Sequence, residues 1–315
     1  MKLSIVIPVY NEEESLDLLH EAVNNAMSGL KMDWEVLYVD DGSRDRSVNK
    51  LKEIQEADQD HVVVIEFRRN FGQTTAISAG IDHASGDIIT FLDADLQNDP
   101  SDIPMMLEKL DEGYDVVSGW RKFREDNALT RNFPSHIANW LISNVTGVHL
   151  HDYGCTLKVY RREVITGFKL YGEMHRFIPV YANSVGAKII EVPVKHHARK
   201  YGKSKYGLER TVKVMLDLIA VKFLTEASKK PIYLFGGLGA ILFGLSIIGF
   251  LFLVVRKMLV QVEILTSPIF IIATLAAMIG SQAILMGLIA ELLVRTYHES
   301  QQKPTYTIRR IFKKS

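Results

Sequence analysis

The hydrophobic positions of this chain change their pattern at Lys230. Before it, short apolar runs alternate with stretches whose apolar residues recur at helical spacing; after it, long apolar segments dominate. Leu3–Val9 (LSIVIPV) predicts a buried strand that stops at Pro8. Asn11–Ser15 supplies cap residues and acids for a helix running to about Leu30. Trp34–Val39 predicts a second strand, Ser47–Ala57 a helix, His61–Phe67 a third strand and Thr74–His83 a small-residue helix. Ile88, Ile89, Phe91 and Leu92 make a further apolar run, and Val116–Gly119 and Ile189–Val194 read as strands. Strands alternating with helices in this way predict an α/β domain with a mostly parallel sheet.

His136–Val148 places Ile137, Trp140, Leu141 and Val145 on one helical face. It is either a core helix or one lying in a membrane interface with Trp140 as anchor. Leu208–Ala227 is amphipathic, with Val212, Met215, Leu216, Ile219 and Phe223 as its stripe, and Lys229-Lys230 closes it. Pro231–Val255 is an uncharged run of about 25 residues, roughly 37 Å as a helix, enough to span about 30 Å of hydrocarbon with some tilt. Pro268–Ala290 is a second candidate span. Gly236, Gly237, Gly239, Gly244 and Gly249 in the first, and Gly280 with Ser281 in the second, permit close helix contact.

The expected organisation is an α/β domain over 1–206, an amphipathic juxtamembrane helix over 207–230, spans at 231–255 and 268–294, a short extracytoplasmic loop at 256–267, and a basic tail at 295–315. The loop carries Arg256 and Lys257, whereas Lys229, Lys230, Arg295, Arg309, Arg310, Lys313 and Lys314 lie on the other side. By the positive-inside tendency the α/β domain and the tail are both cytoplasmic, in a multi-pass protein of the inner (cytoplasmic) membrane. The tail Lys303–Lys314 is expected against anionic lipid. Met1–Tyr10 has no long apolar run, so no cleavable signal peptide is expected.

Composition adds two exclusions. Charges balance at 37 basic and 37 acidic residues, so no global field argues for a nucleic-acid partner. The single cysteine, Cys155, excludes an internal disulfide framework and fits a reducing compartment. It is expected as a small buried residue.

Polar residues concentrate where the predicted strands end: Pro8-Val9-Tyr10-Asn11-Glu12, Asp40-Asp41-Gly42-Ser43 and Asp93-Ala94-Asp95. One such cluster is ordinary turn and cap chemistry. Three at the strand ends of one sheet predict a nucleotide cleft, because open α/β sheets bind ligands beyond the carboxyl ends of their strands. The absence of Gly-x-Gly-x-x-Gly after the first strand weighs against a dinucleotide dehydrogenase. Asp93 and Asp95 either share one face of a continuing strand or sit together on the loop at its end. Two hard oxygen donors there suit Mg²⁺ or Mn²⁺ completed by substrate phosphates, with a solvated acidic turn as the alternative. A carboxylate in such a cleft can accept from a base N–H or from ribose hydroxyls.

The segments IVIPVYNEEESL, VDDGSRDRS, RNFGQTTAISAG and FLDADLQNDP resemble the successive motifs of family 2 glycosyltransferases with a GT-A (Rossmann-like) fold. More narrowly they are similar to polyprenyl-phosphate glycosyltransferases, which include dolichyl-phosphate mannose synthases and bacterial undecaprenyl-phosphate glucosyltransferases. The resemblance covers nearly the whole chain, anchor included. It implies that Pro8, Tyr10, Glu12 and Asp40 line the base and ribose pocket. It also implies that Asp93, Ala94 and Asp95 meet the donor, with Asp93, Asp95 and Gln97 holding metal and diphosphate. Asp41 is expected to support its loop or contact the nucleotide, and Asp99 to act as a helix cap before Pro100.

The same resemblance places Arg121, Arg131 and Ser135 on the phosphate of a lipid acceptor, where guanidinium forks match phosphate oxygens. It gives Lys205, in the basic loop Arg199–Tyr206, a phosphate contact and makes that loop a cover excluding water. Asp152, in His151-Asp152-Tyr153-Gly154-Cys155, is either a base or an orienting residue, and Glu173 and His175 fall near the sugar pocket. Asp95, Asp152 and Arg131 are thus the expected catalytic residues. His196-His197 is an adjacent pair that cannot readily present both rings to one ion.

The function implied is inverting transfer of a hexose, with UDP-glucose the favoured donor and GDP-mannose the alternative, to undecaprenyl phosphate. A processive polysaccharide synthase shares the motifs but needs a Gln-x-x-Arg-Trp element absent here. A non-catalytic nucleotide-binding scaffold is the rival of another class. Because two helices cannot enclose a path for a lipid-linked sugar, self-association, a separate flippase and a downstream glycosyltransferase are expected.

Overall fold

A computed structural model describes residues 1–122, 133–167, 170, 174–198, 231–260, 263–265, 267–300 and 306–313. It divides into two units, Met1–Val221 with Pro304–Ser315, and Lys222–Lys303.

The first unit is built on a mixed sheet. Its strands are β1 (Lys2–Val9), β2 (Asp33–Asp40), β3 (Val62–Phe67), β4 (Ile88–Phe91), β5 (Val116–Trp120), β6 (Lys158–Arg161), β7 (Ile189–Pro193) and β8 (Ile308–Phe312). The spatial order is β7-β5-β6-β4-β1-β2-β3-β8. β4, β1, β2 and β3 run parallel to their neighbours, whereas β6 is antiparallel to both β4 and β5, and β8 is antiparallel to β3. Helices α1 (Leu16–Met27), α2 (Ser47–Ala57), α3 (Gln73–His83), α4 (Ile103–Asp111), α5 (Phe133–Thr146) and α6 (Ile178–Ser184) connect the strands. Leu3, Ile5, Val6 and Ile7 are all fully buried, as a central parallel strand covered on both faces requires. Chain order reverses between β1 and β4, so the crevice at their carboxyl ends is the ligand-binding switch point of such a sheet.

The predicted strands and helices of this parallel half are present with small shifts at their ends. The Lys158–Arg161 strand and the short α6 went unforeseen, since each is too short to show a period. In α5 the buried face is Ile142, Ser143 and Thr146, while Trp140 is 66% exposed. Among the described side chains of the helix, these three are turned inward and Trp140 is turned out.

Part of the tail expected against anionic lipid forms a strand of the sheet. Ile308–Phe312 closes the β3 edge of the sheet, with Arg309 Nη1 3.2 Å from Glu66 Oε1 and Lys52 over the Phe312 ring. Tyr306 stacks on Phe67 and its hydroxyl donates to Asp82 at 3.0 Å. Its basic residues are those of a protected edge strand, and their charge hid a five-residue strand.

The second unit holds α7 (Pro231–Val260) and α8 (Pro268–Ser300). Phe235–Leu259 and Pro268–Ala290 are long and apolar enough to cross a membrane, with mean hydropathies of 2.7 and 2.1. α7 runs past the expected span end, so Arg256 and Lys257 lie on its last turns rather than in the loop. The helices meet at three of the expected glycines: a Cβ on Gly239 would lie 2.6 Å from the Gly280 carbonyl oxygen, and one on Gly249 3.1 Å from the Ala273 Cβ. The juxtamembrane segment 207–230 lies outside the described residues.

Candidate active site

The loops after β1, β2 and β3 are laced by side-chain-to-backbone hydrogen bonds. Asn11, at φ +53°, donates its backbone N–H to Ser43 Oγ at 2.9 Å, and its Oδ1 accepts from the Arg44 amide at 2.8 Å. The Glu12 amide donates to Ser47 Oγ at 2.9 Å, and the Arg46 amide to Glu13 Oε2 at 2.8 Å. Gly42, at φ +68°, has no room for a side chain, because a Cβ would fall 2.5 Å from the Arg69 carbonyl carbon. Asp41 accepts from the amides of Phe71 (2.6 Å) and Gly72 (2.9 Å). This carboxylate supports its loop, and burial pushes its pKa up to about 6.

Asp40 ends β2 opposite Val9 of β1 and is fully buried. Its Oδ2 accepts from the Gly42 and Ser43 amides, each at 3.1 Å. Its Oδ1 is buried with no hydrogen-bond partner among the described residues. Burial raises its pKa above the ordinary carboxylate value. An acceptor held this way is costly unless a donor arrives, and an imide N–H of a base would satisfy it. Pro8 and Tyr10 lie beside it, both half-buried.

Asp93 and Asp95 lie on the loop just past β4 rather than on the strand. Asp93 Oδ1 accepts from Gln73 Nε2 at 2.9 Å and Oδ2 from Thr156 Oγ1 at 2.7 Å. Both partners are neutral, and Asp93 forms no ion pair among the described residues, although the Arg121 guanidinium feels its charge. Asp95 is 9% exposed and accepts from the Gln97 amide at 3.2 Å across a turn in which Leu96 has φ +61°. Two hard carboxylates, one fixed by neutral donors, fit Mg²⁺ or Mn²⁺. No cluster of three or more His, Cys, Asp or Glu is present among the described residues, so substrate oxygens would complete the shell. Asp99 is a cap: its Oδ1 accepts from the Ser101 amide at 2.9 Å. His175, at the other end of the same cluster, shares a 2.7 Å hydrogen bond with Thr74 Oγ1, next to Gln73.

Arg121 follows β5 and forms a two-bond fork with Asp152: Nε to Oδ2 at 2.7 Å and Nη2 to Oδ1 at 2.9 Å. Asp152, 2% exposed, also accepts from the Gly154 amide at 3.1 Å. The fork uses two of the five guanidinium N–H groups, leaving the others for an anion. Cys155 is buried, and burial pushes its thiol up to about 11. His197 pairs with Asp99 at 3.1 Å. Arg131, Glu173 and Lys205 lie outside the described residues, as does the basic loop Arg199–Tyr206. Ser135 is placed as part of α5 only in its backbone.

The structure thus brings Asp40, Asp93, Asp95 and Ala94 to one crevice and joins Arg121 to Asp152. Sequence reasoning missed Gln73 and Thr156 as holders of Asp93. Gln73 lay inside a recognised motif and Thr156 directly after another, but hydrogen bonds across 20 and 63 positions leave no local spacing to read.

A mostly parallel sheet with carboxylates at its switch point defines an open α/β fold of the kind that binds ligands beyond its strand ends. The first unit is similar to glucosyl-3-phosphoglycerate synthase of Mycobacterium tuberculosis crystallised with Mn²⁺, UDP and phosphoglyceric acid, at 20% identity and a TM-score of 0.52 over 71% of this chain and 78% of that one. A crystal structure of that synthase with Mg²⁺ and UDP gives 19% identity and a TM-score of 0.51, over 71% and 79%. Both show the GT-A fold. Residues 4–168 match glycosyl transferase family 2, and the chain belongs to that family; the protein is a glycosyltransferase. It is 42% identical to a dodecaprenyl-phosphate galacturonate synthase of Rhizobium johnstonii, over 99% of this chain and 93% of that one. It is 40% identical to an undecaprenyl-phosphate 4-deoxy-4-formamido-L-arabinose transferase of Klebsiella pneumoniae, over 98% and 93%.

Proposed function

We propose that this glycosyltransferase moves a sugar from a nucleoside diphosphate sugar to the phosphate of a polyprenyl lipid, undecaprenyl phosphate in a bacterium. One observation carries the reading: the likeness to relatives named for polyprenyl-phosphate acceptors extends through the apolar hairpin, over 98–99% of this chain. Glucose is the sugar favoured by the resemblance to the two-helix bacterial branch. The relatives named for galacturonate and 4-deoxy-4-formamido-L-arabinose widen the sugars to be tested, and the nucleotide proposed is UDP.

Asp40, Pro8, Tyr10 and Glu12 hold base and ribose, with the orphan oxygen of Asp40 accepting the base imide N–H. Asp93, Asp95 and Gln97 are the residues that would hold Mg²⁺ or Mn²⁺, which when bound neutralises charge developing on the leaving diphosphate. Arg121, together with Arg131, Ser135 and Lys205, orients the acceptor phosphate. A phosphate oxygen attacks the anomeric carbon as its bond to UDP breaks, inverting that carbon. A phosphate monoester has a second pKa of about 6, so the acceptor is already an anion at neutral pH and needs little help from a base. Asp152, with both oxygens engaged by Arg121, acts by orienting it.

The chemistry is placed at the cytoplasmic face of the membrane. The chain after α8 returns to the catalytic sheet as β8, which supports a hairpin whose two ends lie on one side. Self-association, with flipping left to another protein, follows from so small an anchor. The test is to incubate purified full-length protein with undecaprenyl phosphate, Mn²⁺ or Mg²⁺ and labelled UDP-glucose, UDP-galacturonate, UDP-4-deoxy-4-formamido-L-arabinose or GDP-mannose. A labelled lipid with one of them is expected; no labelled lipid with any of them would sink the reading.

A further inference from the structure

We infer that Glu191 is a positioning residue that sets the Arg121–Asp152 fork for the acceptor phosphate; the inference rests on the acceptor role of Arg121 proposed above. Glu191 lies on β7, paired with Ser118 of β5, three positions before Arg121. Its side chain is 10% exposed. Both carboxylate oxygens are turned onto the backbone of the loop that carries Asp152. Oε1 accepts from the Asp152 amide at 3.0 Å, and Oε2 accepts from the His151 amide at 3.0 Å and contacts His151 Nδ1 at 2.6 Å. A strand carboxylate thus fixes two successive residues of a loop that crosses to β5.

The consequence is felt at Arg121 by two routes. Asp152, with its main chain held by Glu191, presents both oxygens to the guanidinium at 2.7 and 2.9 Å. His151, held by the same carboxylate, stacks its ring on Trp120 at 4.4 Å and 20°. Trp120 is the residue immediately before Arg121. The backbone on one side of the arginine and the side chain beyond it are therefore both referred to a single acid. Lys158 of β6, 3% exposed, donates to the carbonyl oxygens of Tyr153 and Cys155, which holds the loop beyond Asp152 and leaves the His151 and Asp152 amides to Glu191. A loosened loop leaves Arg121 tied to a wandering partner, and misplacement on the order of 1 Å is enough to cost about a hundredfold in such sites. Among the described residues Glu191 makes no direct contact with Asp40 or Asp93; its loop reaches Asp93 only four residues beyond Asp152, through Thr156 Oγ1 at 2.7 Å, so the nucleotide side is affected much less than Arg121.

The experiment compares full-length wild type, Glu191→Ala, Glu191→Gln, Arg121→Ala and the Glu191→Ala/Arg121→Ala double variant in lipid nanodiscs. Two equilibria are read: undecaprenyl phosphate binding, and UDP binding in Mn²⁺. Glu191→Ala is expected to weaken undecaprenyl phosphate about tenfold or more with UDP binding within about twofold. Glu191→Gln, which keeps one acceptor oxygen, should recover part of the loss. The double variant should bind the lipid no worse than Arg121→Ala alone, because both changes act through one group. If Arg121→Ala leaves lipid binding intact, the acceptor role of Arg121 fails. If Arg121→Ala weakens it but Glu191→Ala does not, or the two losses simply add, Glu191 does not position the fork while the acceptor reading survives. Equal losses of lipid and UDP in Glu191→Ala would mark a general structural role and overturn the inference.

Discussion

The two sides of the crevice solve the problem of burying charge in opposite ways. On the side of β1, β2 and β4, the carboxylates Asp40, Asp41 and Asp93 have amide, hydroxyl and side-chain amide partners and no ion pair among the described residues. On the side of β5, β6 and β7, Asp152 is paired with Arg121, and Glu191 is held by two backbone amides and the His151 ring. Hydrogen bonds to neutral groups fix a carboxylate without cancelling its charge, whereas an ion pair does both. The first side is thus preloaded with negative charge that a cation and a donor must meet. On the reading proposed above, the second side offers the Arg121 guanidinium to a second anion, so that donor and acceptor take separate sides.

The largest expected effect breaks the first side. Asp95→Asn or Asp93→Asn should lower product formation by about a thousandfold or more with the melting temperature little changed. Residual turnover within about tenfold of wild type would refute the metal role. Next, Arg121→Ala should raise the acceptor KM by about ten- to a hundredfold while the donor KM changes little; parallel losses in both would erase the division. Asp40→Asn puts an amide NH₂ or a less basic oxygen where the orphan acceptor stands, and should weaken UDP about tenfold without touching lipid binding.

The smallest effect is a pH dependence. The Asp41 carboxyl titrates at about 6 in the fold against an ordinary 3.8. Between those values the folded protein keeps a proton that the unfolded chain has released, so this site's contribution to stability falls as pH rises from about 4 to past about 6. Thermal unfolding of wild type and Asp41→Asn across that range should show the decline only in the wild type, a few degrees in all. Identical slopes would mean that burial does not hold the proton.

The parallel half of the fold was legible because its strands are long and buried on both faces, and because polar residues mark each strand end. Asp40, Asp93 and Asp95 could be chosen for that reason. The other half was less legible. Lys158–Arg161 and Ile308–Phe312 are short strands whose charged residues read as surface. Glu191 sits inside the apolar run Ile189–Val194, where nothing local marks it. Its partners are 39 and 40 positions away, a relation no local spacing encodes. For the same reason Arg121 and Asp152 could be named as functional but not as a pair.

The division of labour is tested most directly by calorimetric titration of UDP into the full-length protein, with and without Mn²⁺, in wild type, Asp93→Asn and Arg121→Ala. The account predicts UDP binding that requires Mn²⁺, survives in Arg121→Ala and is lost in Asp93→Asn. UDP binding that needs no metal, or that falls equally in the two variants, would contradict it.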